Sequence, residues 1–245
     1  MQPIAIIQHV ADDGPAYFAT WLEQQGHAYQ VFRMDQGDDL PAHAADHAGW
    51  CVLGGPMSAN DALPYYPLLF ARLREAVDLR IPLIGHCLGG QIISRVLGGT
   101  VSASENVEIG WSDLRVEAGG NAWLAGAAAA RFFQWHGESF SIPLGAQRIM
   151  TGDYCANQAF VYDDIHLGMQ FHCEVTEDKV RRWLVLGHDE LIHSTSPAVQ
   201  QAGALLPDLP ASVALSQQMA SALYARWWQG VQVRSVERGH AAAQA

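Results

Sequence analysis

The chain has 245 residues, 49% of them hydrophobic and 16% charged, with a formal net charge of -11. That length and balance fit one large soluble α/β domain with a buried core and exclude a disordered chain. The negative charge argues against nucleic acid or an anionic membrane as the main partner.

Four cysteines (Cys51, Cys87, Cys155, Cys173) show neither paired metal spacing nor a disulfide framework. Met1 leads directly into apolar residues 4–7, without the basic and apolar regions of a signal peptide, and no apolar run is long enough to span a membrane. The expected location is therefore cytoplasmic.

Residues 4–7 read as a first buried strand, followed by a polar turn over 9–14. Tyr17, Phe18, Trp21 and Leu22 supply a helical apolar face, and residues 29–32 a second strand. This β-α-β start predicts a parallel sheet with a right-handed crossover. Residues 50–53 form the next strand and end in Gly54-Gly55-Pro56-Met57-Ser58. A helix over 67–79 follows. It leads into the stretch that organises the chain, an apolar strand running into Gly85-His86-Cys87-Leu88-Gly89-Gly90-Gln91. Beyond it, Ile92, Ile93, Val96 and Leu97 recur at helical spacing.

Strand, glycine-flanked nucleophile and helix make the layout of a nucleophile elbow, with Cys87 in the place of the more familiar serine. The flanking glycines leave room for a tight, strained turn. The N-terminus of the following helix points its dipole at the sulfur, the arrangement that activates a thiol.

Past Gly98-Gly99, residues 100–116 read as short strands with a turn near 106–111, and the Ala-rich segment 121–130 as a short helix. Residues 132–135 form a strand ending in His136-Gly137-Glu138. Residues 159–162 and 167–171 suit a hairpin, and Thr176 caps a helix. Prolines 197, 207 and 210 interrupt the C-terminal part. A last helix then carries Leu215, Met219, Leu223 and Trp227 at four-residue steps, a stripe expected to pack on the main domain. We read residues 1–190 as the catalytic domain and 191–245 as a helical extension packed on it, with a mobile tail from about Arg234.

A thiol nucleophile needs a base, and the base an orienter. His172 and Glu174 are two apart, so on a strand they share a face while Cys173 points away. Four motifs occur in order along the chain: Gly54-Gly55-Pro56-Met57-Ser58, Gly85-His86-Cys87-Leu88-Gly89-Gly90-Gln91, Trp135-His136-Gly137-Glu138 and Gly168-Met169-Gln170-Phe171-His172-Cys173-Glu174. Together they resemble the class I (triad) glutamine amidotransferases, most closely the glutaminase domain of GMP synthase and its stand-alone relatives. The likeness runs from the first strand to about Val175.

The resemblance implies a three-layer, flavodoxin-like α/β fold with a mostly parallel central sheet. It implies that Cys87 attacks the γ-carboxamide of glutamine, with His172 as general base and acid and Glu174 as its orienter. The backbone N–H groups of Gly55 and Leu88 would form the oxyanion hole, and Gln91, His136, Gly137 and Glu138 would bind the amino-acid end of the substrate. It implies no cofactor and no metal. Ammonia would pass to a synthase partner on another chain, since the sequence carries no phosphate-binding loop of the ATP-using domain. The alternatives are a γ-glutamyl peptidase or hydrolase using the same triad, and a non-catalytic regulatory protein on the same scaffold.

Two residues depart from the family pattern, and a histidine pair has a spacing of its own. Cys173 replaces a usual proline and reads as a buried thiol, the sharper alternative being an oxidation partner for Cys87. His86 replaces an aliphatic residue and reads as structural. His43 and His47 have metal-pair spacing without a third ligand and read as a solvated segment.

Overall fold

The computed structural model describes residues 1–242. Its first half alternates strand and helix as the apolar runs predict. β1 (Ile4–Gln8) leads to α1 (Ala16–Gln24), then β2 (Tyr29–Arg33), β3 (Gly49–Val52) and α2 (Tyr66–Asp78). β4 (Leu83–His86) and α3 (Leu88–Val96) form the elbow. β5 (Val101–Val116) and β6 (Ala129–Phe140) make a long antiparallel pair. β7 (Gln147–Thr151), β8 (Ala159–Tyr162) and β9 (His166–Met169) return the chain to the centre. The helices α4 (Glu177–Leu186), α5 (His188–His193), α6 (Ala202–Leu205) and α7 (Leu209–Ala242) complete it.

The nine strands form one sheet in the order β2-β1-β3-β4-β9-β8-β7-β5-β6. Pairings from β2 through β9 are parallel, and those from β9 through β6 are antiparallel. β1, β3 and β4 are buried throughout, as expected of parallel strands covered on both faces. One face packs Phe18, Trp21 and Leu22 of α1 with Leu223, Tyr224 and Trp227 of α7. The other packs Leu69 and Leu73 of α2 with Ile92 and Ile93 of α3. A third cluster seats α4, α5 and the start of α7 against Ile109, Trp111 and Phe133 of the antiparallel strands. The result is a three-layer α/β/α arrangement whose parallel half carries the elbow.

Several local expectations give way. Within segment 121–130, residues 121–126 are turns and 129–130 already belong to β6, with Ala125 and Gly126 at positive φ (51° and 82°), which a helix cannot contain. Residues 101–116 form one strand in place of several short ones, with a register irregularity between Ala103 and Glu108 where the turn was expected. In α7 the buried stripe is Val213, Ser216, Ala220, Leu223, Tyr224, Trp227, Trp228 and Val231, which leaves Leu215 exposed. Steps of three and four residues alternate along that stripe, so a strict four-residue step drifts off it. α7 passes through Arg234 without interruption to Ala242, and the rest of the expected mobile tail lies outside the described residues. His47 is buried against Phe32 and Trp50, while His43 stays exposed, so the segment is only half solvated. Among the described residues, no helix is long and apolar enough to cross a membrane.

Candidate active site

Cys87 sits between β4 and α3 with φ 49° and ψ -110°, a conformation that non-glycine residues rarely adopt. The surrounding glycines explain why the chain accepts it. A Cβ on Gly85 would come within 2.5 Å of the Gly89 oxygen and the Gly90 nitrogen, one on Gly89 would strike the carbonyl of Val52, and one on Gly90 that of Met169. Bare backbone thus lets the first turn of α3 settle onto the C-terminal ends of β3, β4 and β9. That contact fixes the sulfur beyond the C-terminal ends of the parallel strands, the edge where ligands bind in open α/β folds.

The sulfur lies in a cavity of about 640 Å³ lined also by Gly55, Leu88, Gln91, His136, Gly137, Glu138 and His172. The thiol is 6% exposed. The sulfur lies 3.7 Å from the Trp135 carbonyl oxygen and accepts from the Gln170 side-chain amide at 3.7 Å.

His172 is no longer on a regular strand, because β9 ends at Met169; a single antiparallel bridge to Phe133 holds it, with its N–H on the Phe133 carbonyl at 2.8 Å. The expected sharing of a face by His172 and Glu174 still appears, with Nδ1 donating to Glu174 Oε1 at 2.8 Å. Cys173 turns the other way. It is fully buried, with its sulfur 3.3 Å from the Tyr224 hydroxyl of α7 and 3.8 Å from the Met169 sulfur.

Burial works against a charged His172, yet the Glu174 carboxylate and the Cys87 sulfur outweigh it and raise the imidazole to about 10. At neutral pH it is therefore an imidazolium, the form that can give a proton to a leaving amine.

Glu174 is wholly buried. Burial disfavours its charge, but Lys179 and His172 together hold the carboxylate well below its usual range. Lys179 is the residue that sequence reading missed. Its ammonium, on a side chain only 6% exposed, donates to Glu174 Oε1 at 3.0 Å and to the Gly14 carbonyl at 2.9 Å, and pairs with Asp13 at 2.5 Å. A buried chain of alternating charge, Asp13–Lys179–Glu174–His172, thus backs the sulfur. Thr176, accepting from the Lys179 N–H at 3.3 Å as the N-cap of α4, sets that helix so that Lys179 points inward.

His86 projects behind the elbow. Its Nε2 is 3.2 Å from the Tyr224 hydroxyl and 4.0 Å from Glu174 Oε2, and burial pushes the imidazole down to about 4. It is a neutral spacer between the His172–Glu174 pair and α7.

Gln91 is buried, not solvent-facing. Its amide donates to the Glu138 carbonyl at 3.0 Å and to Gln170 Oε1 at 3.4 Å, which leaves its own oxygen as an acceptor at the cavity. Glu138 accepts from the Ser58 hydroxyl at 2.8 Å. The His136 ring is committed elsewhere, to Glu108 at 3.1 Å and the Glu138 carbonyl at 3.1 Å, so a part for it in binding falls to its backbone. A Cβ on Gly55 would lie 3.2 Å from the Leu88 side chain, so the two backbone segments expected to bind an oxyanion border the sulfur together.

Comparison with known proteins identifies the family and the fold. The family model for "Glutamine amidotransferase class-I" matches residues 18–184. A glutamine amidotransferase-like protein, YfeJ, of Salmonella typhimurium is 26% identical over 77% of this chain and 82% of its own. GMP synthase of Vibrio vulnificus is 30% identical over 54% of this chain, which spans only 25% of that protein. Among solved structures, a glutamine amidotransferase from Methylobacillus flagellatus superposes with a TM-score of 0.92 at 41% identity, covering 94% of this chain and 95% of that one. One from Thermotoga maritima gives 0.82 at 26% identity, covering 92% and 97%. The chain belongs to the class-I glutamine amidotransferases.

Proposed function

We propose that this enzyme hydrolyses the γ-amide of glutamine through a Cys87-His172-Glu174 triad. The observation that carries the reading is the strained Cys87 elbow opening into the same cavity as a His172 that is charged and held by a buried Glu174. The Cys87 sulfur attacks the γ-carbonyl carbon to give a γ-glutamyl thioester, and His172 gives its proton to the departing ammonia. Water, deprotonated by His172, then releases glutamate and restores the sulfur. The backbone N–H groups of Leu88 and Gly55 stabilise the oxyanion of both steps. The Gln91 side-chain oxygen, the Glu138 carboxylate and the backbone at 136–137 hold the amino-acid end. Ammonia then passes to a synthase on a separate chain.

A second reading, hydrolysis of larger γ-glutamyl amides or peptides, is favoured by the cavity of about 640 Å³. That volume falls in the range of sites for ligands well beyond the about ten non-hydrogen atoms of glutamine. Glutamate release from glutamine and from γ-glutamyl amides, by wild type and by Cys87→Ala, tests both. Turnover of either substrate that survives Cys87→Ala rules out the mechanism.

A further inference from the structure

Two groups of mutual contacts line the cavity around Cys87. Ser58 and Gln91 both bond Glu138, a polar end suited to an amino-acid head group. His172, Trp183, Trp135 and Glu190 touch one another in turn, and Leu186 lines the cavity with them. His172 must protonate the departing nitrogen, so the leaving group has to occupy the His172 side. Ammonia would make no use of the wall found there. The Trp183 ring stands edge-on to His172 at 4.7 Å between centroids, and Trp135 stands edge-on to Trp183 at 6.1 Å. Both indoles are pinned by their N–H groups, Trp183 to the Asp12 carbonyl at 3.0 Å and Trp135 to Glu190 Oε2 at 2.9 Å. Rigid aromatic surface with its polar atom already satisfied is a binding wall for apolar groups.

Charge narrows the class further. The acids lining the whole cavity are Asp12, Asp13, Glu138 and Glu190, and among the described residues none of the lining side chains is lysine or arginine. Asp13 is neutralised from behind by Lys179, and Asp12 from the outside by Arg182. On the leaving-group side the carboxylate of the exposed Glu190 accepts from the Trp135 indole and makes no ion pair among the described residues. A leaving group that carries its own carboxylate, as in a γ-glutamyl amino acid, would meet Glu190, while the cations beside the wall, His172 and Lys179, are already paired with Glu174 and Asp13. An aromatic or alkyl amine without a carboxylate meets no such penalty.

We propose that Trp135, Trp183, Leu186 and Glu190 form a leaving-group subsite for γ-glutamyl amides of aromatic or alkyl amines that lack a carboxylate. This rests on the acyl-transfer reading of Cys87 and His172. In the step concerned, the bond from sulfur to the γ-carbon forms as the carbon–nitrogen bond breaks, and the His172 proton goes to the amine nitrogen. Water then gives a proton to the now neutral His172 as it forms the carbon–oxygen bond, the carbon–sulfur bond breaks to restore the sulfur, and glutamate leaves.

Three probes separate the alternatives: glutamine, γ-glutamyl phenethylamide and γ-glutamyl phenylalanine. The last two differ only by the carboxylate. Binding of each to the full-length Cys87→Ala protein is measured by calorimetry, and glutamate release from each by the wild type. The phenethylamide should bind about tenfold or more tighter than glutamine, as expected for burying a phenyl ring, and about tenfold tighter than γ-glutamyl phenylalanine. Glu190→Lys should narrow or reverse the preference between the two aromatic probes. Equal binding of all three, or a preference that Glu190→Lys leaves unchanged, overturns the subsite. The acyl-transfer reading fails separately, if the wild type forms no Cys87-linked glutamyl adduct with any probe. A wall that served only to seat a synthase would show itself as equal binding of all three.

Discussion

Lys179 carries the most demanding prediction. Its ammonium is the cation between two buried carboxylates, at 2.5 Å from Asp13 and 3.0 Å from Glu174. Lys179→Met keeps most of the apolar stem and removes the charge, which leaves Asp13 and Glu174 facing a site whose other cation is His172. Removing one partner of a buried ion pair typically costs about 3–5 kcal/mol, because the remaining charge is left without compensation. At about 2–4 °C per kcal/mol for a chain of this size, Tm should fall by on the order of 10 °C. The double variant Lys179→Met/Asp13→Asn should recover part of that loss, since it removes one of the stranded carboxylates. Activity should report the same change independently. Glu174 would lose the largest influence that keeps it ionised, so the acid limb of the pH–rate profile should move to higher pH. Thermal unfolding by circular dichroism and urea titration read the first effect, and glutamate release across pH reads the second. A single variant within about 1 kcal/mol of wild type, or a double variant no more stable than the single, would refute the account of the buried charge chain.

Other perturbations follow from the same contacts. Gly85→Ala would drive a Cβ into the backbone of Gly89 and Gly90, which cannot give way, so the protein should fail to accumulate in soluble form; Gly137→Ala, whose nearest neighbour would be Val107 at 3.6 Å, should fold with wild-type Tm. Equal solubility of the two variants would contradict the packing argument for the elbow. Tyr224→Phe removes the hydroxyl that meets both His86 and Cys173, and should cost about 1–3 kcal/mol in urea unfolding; an unchanged midpoint would show that this network adds nothing. Stability should peak near pH 6.5. The raised His172 contributes fully below 6.5, and its contribution is lost as pH climbs through about 10. On the acid side, His86 and His166, lowered by burial to about 4 and about 3, withdraw stability as pH falls below 6.5. Glu174, held low, does the same below about 4.3. A Tm that stays flat from pH 7 to 10 would contradict the His172–Glu174 pairing.

The parallel half of the sheet was legible in the sequence because β1, β3 and β4 are covered on both faces and so appear as unbroken apolar runs. The elbow was legible for a related reason, since only glycine tolerates the backbone contacts at 85, 89 and 90. His172 and Glu174 were legible through their spacing, although the regular strand assumed for them stops at Met169. Lys179 was not. A lysine in the first turns of a polar helix reads as solvated, and what buries it is Asp13, far away in the chain and in a segment that reads only as a polar turn. Segment 121–130 misled for a local reason. Alanine favours a helix, but positive φ at Ala125 and Gly126 lies outside what propensity can register. The aromatic wall was equally hidden, because Trp135 and Trp183 come from β6 and α4 and meet only when the sheet has folded.

The claim on which the rest depends is that Cys87 becomes acylated. Its most direct test is the intact mass of the protein, acid-quenched within milliseconds to seconds of mixing with a γ-glutamyl substrate and followed by peptide mapping. The account predicts one added glutamyl group, on the peptide that contains Cys87, which disappears as substrate is exhausted and never forms in Cys87→Ala. Glutamate released steadily by a wild type that never carries the adduct, or an adduct mapped to Cys51, Cys155 or Cys173, would contradict it.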